Sequence, residues 1–165
     1  MRHCRILIVL GLGLWISACG FQIREDADLP PEMAQTRILV EAENSVFARR
    51  VRLLLSQSGV QFVGADQATA FLEIPVNNVQ TEVLTIGDNA RVREYRVSHT
   101  VRFRLTDAGG KEIIPWQTMR QAREISFDEQ EILATSREQE YLKQDLAESL
   151  SRQLVTRLES GSKVH

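Results

Sequence analysis

The sequence predicts an α+β fold: two helices packed on one face of a roughly four-stranded, mostly antiparallel sheet, in the order β-α-β-β-β-α. Three observations carry this. From Tyr95 to Thr106, Tyr95, Val97, Val101, Phe103 and Leu105 alternate with Arg96, Ser98, Thr100, Arg102, Arg104 and Thr106. That is the period of a strand with one face buried and the other wet. The turn residues Asp107 to Lys111 follow, and a second long stretch from Glu112 to Phe127 returns as its neighbour. Two amphipathic stretches, one early and one at the end, then supply helices to cover a single face.

The chain opens on the short basic run Met1 to Arg5, followed by apolar or glycine residues from Ile6 to Ile16. A bilayer-spanning helix needs about 20 residues, so this run predicts a secretory signal peptide rather than a membrane span. Ile16-Ser17-Ala18-Cys19 has the form of a lipobox, an aliphatic and two small residues before a cysteine. The expected outcome is cleavage before Cys19, acylation of its thiol and amino group, and anchoring by acyl chains worth about 0.8 kcal/mol per buried methylene. The alternative is an ordinary signal peptide with a chance cysteine. Gly20, rather than aspartate, at the next position favours the outer membrane over retention at the inner one. Cys4 leaves with the signal peptide, so the mature chain has no free thiol and no internal disulfide.

The expected organisation is therefore a signal peptide at 1–18, a lipidated tether at 19–36, a single sandwich domain at 37–159 and a short tail at 160–165. Removing Arg2 and Arg5 leaves 18 basic against 22 acidic residues, a formal charge of −4. A nucleic-acid partner would call for a basic footprint, so none is expected.

Within the domain, Arg37 to Ala42 reads as a short apolar strand. Asn44 or Ser45 can cap a helix that carries Phe47, Val51, Leu54 and Leu55 on one face and ends at Gly59. Val60 to Val63 reads as a short extended piece. Ala70 to Ile86 is rich in β-branched residues, and Pro75, which lacks a ladder donor, implies an edge or a bulge there. Gly87 to Ala90 supplies turn residues. Asp128 and Ser136 each begin a capping-box pattern, leaving two possible starts for the last helix. Its Leu142, Leu146, Leu150, Leu154 and Leu158 recur every four residues, a stripe that slants around a helix of 3.6 per turn.

Catalytic constellations are missing from the sequence. His99 lies in phase with the apolar strand face, where a core or edge histidine is expected, and His165 ends the chain. There is no His-Glu-x-x-His, no glycine-flanked nucleophilic serine, no phosphate loop and no cysteine pair. The sequence is read as that of a non-enzyme, with no cofactor beyond the covalent lipid on Cys19 and no metal. Its arginines are more suggestive. Arg91, Arg93, Arg96, Arg102 and Arg104 fall close together in an acidic chain, and guanidinium forks suit phosphate and carboxylate. A wet sheet face filled with long polar side chains is the plain alternative.

Cys19-Gly20-Phe21-Gln22-Ile23-Arg24 followed by Leu29-Pro30, Glu94-Tyr95 leading into Val101 to Lys111, and Arg123 to Leu146 running into the last helix together resemble the LPS-assembly lipoproteins, the LptE family formerly called rare lipoprotein B. Gln22 and Glu25 depart from the histidine and glycine often found there. The resemblance implies a plug inside the lumen of the outer-membrane β-barrel LptD, in a one-to-one complex. It also implies help in assembling that barrel and binding of lipopolysaccharide on its way to the cell surface. A basic residue early in the last helix matches at Lys143, and Arg91 or Arg93 stands nearest to a second. With Arg96, these are the candidate lipopolysaccharide contacts. A structural lipoprotein of another outer-membrane machine, such as a secretin pilot or a barrel-assembly subunit, is the competing reading.

Overall fold

A computed structural model describes residues 28–86, 92–126 and 132–162. The lipobox, the turn at Gly87 to Ala90 and the capping pattern at Asp128 lie outside them. The five strands are β1 (Gln35–Val40), β2 (Gln61–Phe62), β3 (Ala70–Ile86), β4 (Val92–Asp107) and β5 (Glu112–Ser126). Helix α1 (Val46–Gln57) stands between β1 and β2, and α2 (Ile132–Ser162) closes the chain. The fold is α+β, with a sheet of order β2-β1-β3-β4-β5. It has five strands rather than about four, because the Val60–Val63 piece pairs at Gln61 and Phe62 alongside β1. β1 runs parallel to both of its neighbours, whereas β3, β4 and β5 form an antiparallel meander. The parallel pairing follows from α1: a helix between two strands carries the chain back to its starting end.

Ser45 caps α1, its Oγ accepting from the Ala48 N–H at 3.1 Å. The helix stops at Ser58, and Gly59 takes a φ of +86°, which favours a residue without Cβ. Phe47, Ala48, Val51 and Leu55 are buried, while Leu54 is half-buried. Ser45→Ala is expected to lower stability by about 1 kcal/mol, read as a shift in urea midpoint with an unchanged slope.

The leucine stripe of α2 faces the sheet as its spacing predicts. Leu146, Leu150, Leu154 and Leu158 are fully buried, and Leu142 packs at the margin against Val97, Ile125 and Leu146. Ser136 lies inside the helix, which is already running at Ile132, so it is not the start. Helical structure continues through Ser162, beyond residue 159.

The fold also begins before residue 37. Pro31–Ala34 form a 3-10 turn with Pro at its first position, where the missing N–H costs nothing. Met33 is fully buried, and the Thr36 hydroxyl donates to its carbonyl at 2.7 Å. A lone methionine has no periodicity, so this part of the core leaves no pattern in the sequence.

Both strand prolines coincide with register shifts. One lies between Glu73 and Val76, at Pro75; the other is where Phe103 and Leu105 face Gln117 and Ile114, beside Pro115. β3 is an inner strand as far as Ile74 and loses its β1 neighbour just there, so Pro75 sits at a bulge where one edge opens.

Candidate functional site

The face of the sheet away from the helices carries most of the chain's grouped charge. Register sets its residues in rows across β3, β4 and β5. At one end Glu73 pairs with Arg104, with Glu112 beyond. Val76, Arg102 and Thr118 come next, then Asn78, Thr100 and Arg120, then Gln80, Ser98 and Ala122. Glu82, Arg96 and Glu124 form the last row. This is the alternation of Tyr95 to Thr106 made physical: odd positions of β4 turn to the core, even ones to solvent.

The two outer rows satisfy their own cations. Arg96 donates through Nε and Nη2 to Glu124 Oε1 at 3.0 and 2.7 Å, with Glu82 at 3.9 Å. The hydrogen bond to Glu124, and then that carboxylate's charge, raise the Arg96 pKa further. Arg104 reaches Glu73 through Nε and Nη2 at 3.0 and 3.1 Å. Between these rows the cations lack carboxylates. Arg102 has its guanidinium 4.6 Å from the centre of the Trp116 ring, as does Arg104, and makes no ion pair with a described residue. Arg120 makes one long contact, 3.5 Å to Ser98 Oγ. Stacking on an aromatic ring occupies a guanidinium face and leaves its in-plane N–H donors open. A middle strip with two available cations among hydroxyls and amides can therefore hold an anion or a polar surface.

The sequence-derived candidates are dispersed relative to this strip. Arg96 is on the wet face but engaged by two glutamates. Lys143 is on α2, which packs against the other face; its Nζ lies 3.7 Å from Glu140 Oε2, and its side chain is 39% exposed. The sheet thus separates Lys143 from Arg96. Arg93 belongs to β4, while Cys19 and Arg91 lie outside the described residues. Arg120 and Trp116 were not anticipated. Their signal was available in the phase of β5, but the bulge at Pro115 conceals it.

His99 is a core histidine, 1% exposed. Its Nε2 is 2.8 Å from Asn77 Oδ1, and Phe47 meets it edge-on at 5.5 Å. Asn77 Nδ2 donates to the Glu41 carbonyl at 3.0 Å and to Ser45 Oγ at 2.9 Å, which fixes the amide so that Oδ1 faces the ring. Nε2 therefore carries the proton, and Nδ1 is a buried lone pair without a partner. Burial drives the His99 pKa down to about 4. No acid or nucleophile stands beside it in this network. Among the described residues there is no group of three His, Cys, Asp or Glu placed to hold a metal, and no helix long and apolar enough to cross a membrane.

Comparison with known proteins agrees with this architecture. The family model described as "LptE: Lipopolysaccharide-assembly" matches residues 36–158. The LPS-assembly lipoprotein LptE of Pectobacterium atrosepticum is 28% identical over 164 residues, covering 96% of this chain and 86% of that protein. That of Photorhabdus laumondii is 24% identical over 160 residues, with 96% and 87% covered. Among solved structures, an uncharacterized lipoprotein B from Nitrosomonas europaea superposes with a TM-score of 0.71 at 23% identity, over 88% of this chain and 94% of that one. A minor lipoprotein from Acinetobacter baumannii gives 0.64 at 19% identity, over 78% and 92%.

Proposed function

Because the chain belongs to the LptE family of lipopolysaccharide-assembly lipoproteins, we propose that it is the lipid-anchored plug of the outer-membrane β-barrel LptD. In this reading residues 1–18 direct export, Cys19 carries the acyl chains at the periplasmic side of the outer membrane, and the following residues tether the domain inside the barrel lumen. The domain helps the barrel assemble and binds lipopolysaccharide during its delivery to the cell surface.

The observation that supports this best is the wet face itself. It is broad, hydrogen-bonding and crossed by rows of charge, with Arg102 and Arg120 unpaired between acid-balanced ends. Such a face suits the polar interior of a large barrel. Lys143, Arg91, Arg93 and Arg96 are the residues proposed to contact lipopolysaccharide, with Lys143 the most accessible to a test.

Pull-down of the tagged mature protein from detergent-solubilised outer membrane tests the partner. A single large β-barrel in equal stoichiometry supports the plug, and a secretin or a barrel-assembly complex in its place assigns the chain to another machine. Lys143→Asp combined with Arg91→Asp is expected to weaken lipopolysaccharide binding about tenfold, the scale of one or two charge-assisted contacts. Circular dichroism should be unchanged, and undiminished binding removes both residues from the site.

A further inference from the structure

Strand β3 has a neighbour on its β1 side only as far as Ile74. The last ties there are the Glu41 N–H to the Ile74 carbonyl at 3.0 Å and the Asn77 N–H to Glu41 Oε2 at 3.3 Å. Asn77 thus points its N–H to the β1 side. Along a strand every second residue directs its N–H and C=O the same way. Val79, Thr81 and Val83 therefore aim theirs off the sheet, where no described strand pairs with them. The row ends at the register shift between Val83 and Thr85.

Two further observations distinguish this edge. Its side chains include Val79 and Val83, 38% and 49% exposed on the helix side, and Leu84 at 37%. The other outer edge, β5, carries Pro115 in a bulge together with Arg120, Arg123 and Glu124, devices that discourage strand addition. From Asn78 to Ile86, β3 has one charge, Glu82, and no proline.

We propose that the Val79–Val83 edge of β3 is a strand-addition site for an extended segment of the barrel partner, with apolar residues beside Val79 and Val83 and a basic residue near Glu82. The identity of that partner rests on the reading given above; the chemistry rests on the edge. Open backbone donors and acceptors in alternation are matched by an extended chain. A second copy fits less well. Two edges paired antiparallel about Thr81 would set both Glu82 carboxylates on one diagonal of the same face, a like-charge pair.

The test is amide hydrogen exchange on the mature protein alone and in its purified complex with the barrel. In the free protein the amides of Val79, Thr81 and Val83 exchange readily; in the complex they slow by about a hundredfold or more. Thr81→Pro removes an N–H that points off the sheet, so the isolated variant keeps its fold while affinity for the barrel falls about tenfold. Gln80→Pro, which removes an N–H aimed at β4, destabilises the free protein and serves as the control. A one-to-one complex with these three amides unprotected overturns the strand-addition site and leaves the plug standing. Failure to recover any barrel overturns both. Protection that instead rises with concentration in the isolated protein assigns the edge to self-pairing and overturns the proposal.

Discussion

Asn77→Ala is expected to cost about 3 kcal/mol of stability, more than any substitution on the wet face. The side chain joins three elements: the end of β1 through the Glu41 carbonyl, the cap of α1 through Ser45 Oγ, and the centre of β4 through His99. Truncation does more than delete these bonds. It leaves the His99 Nε2–H without an acceptor inside the core, a penalty of about 1–3 kcal/mol, and two further bonds at about 1 kcal/mol each are lost beside it. Urea denaturation of the single variants and of the double variant with His99→Leu separates these contributions. Removing His99 as well takes away the orphaned donor, so the double variant should lose less than the two single losses combined. Strict additivity, or a loss below about 1 kcal/mol for Asn77→Ala, would show that the junction does not hold the three elements together.

Stability should also fall as pH drops from 6.5 towards 4, and His99 supplies a large part of that fall. The folded protein holds its pKa near 4, whereas the unfolded chain has the ordinary value of 6.5. Within this window the unfolded state binds a proton that the folded state refuses, so acid favours unfolding; above 6.5 the contribution is fully present. At about 1.4 kcal/mol per pH unit, the linkage amounts to roughly 3 kcal/mol over the window. The cause is local. Asn77 already takes the Nε2 proton, so a second proton must go to Nδ1, which is buried beside Phe47 with no acceptor. Comparing denaturation midpoints of the native chain and His99→Leu at pH 7 and pH 4.5 isolates this share from that of the carboxylates. Titration of the His99 ring near 6.5 by nuclear magnetic resonance would remove the effect.

The elements that could be read from the sequence are those whose burial follows a simple period. Tyr95 to Thr106 alternates cleanly because α2 covers one face of β4 and solvent the other. The leucine stripe and the Ser45 cap were equally plain, since each is set by residues within a turn or two. What escaped was set by neighbours distant in sequence. Gln61 and Phe62 form a strand only because β1 lies beside them. Met33 is in the core because the polyproline turn folds back over Thr36 and Thr69. On the candidate surface, guanidinium chemistry could be read from composition, but the ion pairs could not. Arg96 and Arg104 are neutralised by glutamates 14 or more positions away, while Arg102 and Arg120 are not. That difference is one of strand register, which the local pattern does not contain.

The shifts at Pro75 and Pro115 have a consequence for how this chain can change. Each lets the polar and apolar sets exchange parity along the strand while keeping the same face towards the helices: Leu72 and Ile74 face inward on even numbers, Asn77 and Val79 on odd ones. The alternation is thus written in two reading frames joined at a proline. Deleting one residue there would leave every amino acid suitable for a strand but turn the outer half inside out, bringing Glu82 to the helix side and Val79 to the wet one. Insertions and deletions near these prolines should therefore be tolerated only in pairs, whereas the turn between β4 and β5 can vary in length without reversing a single face.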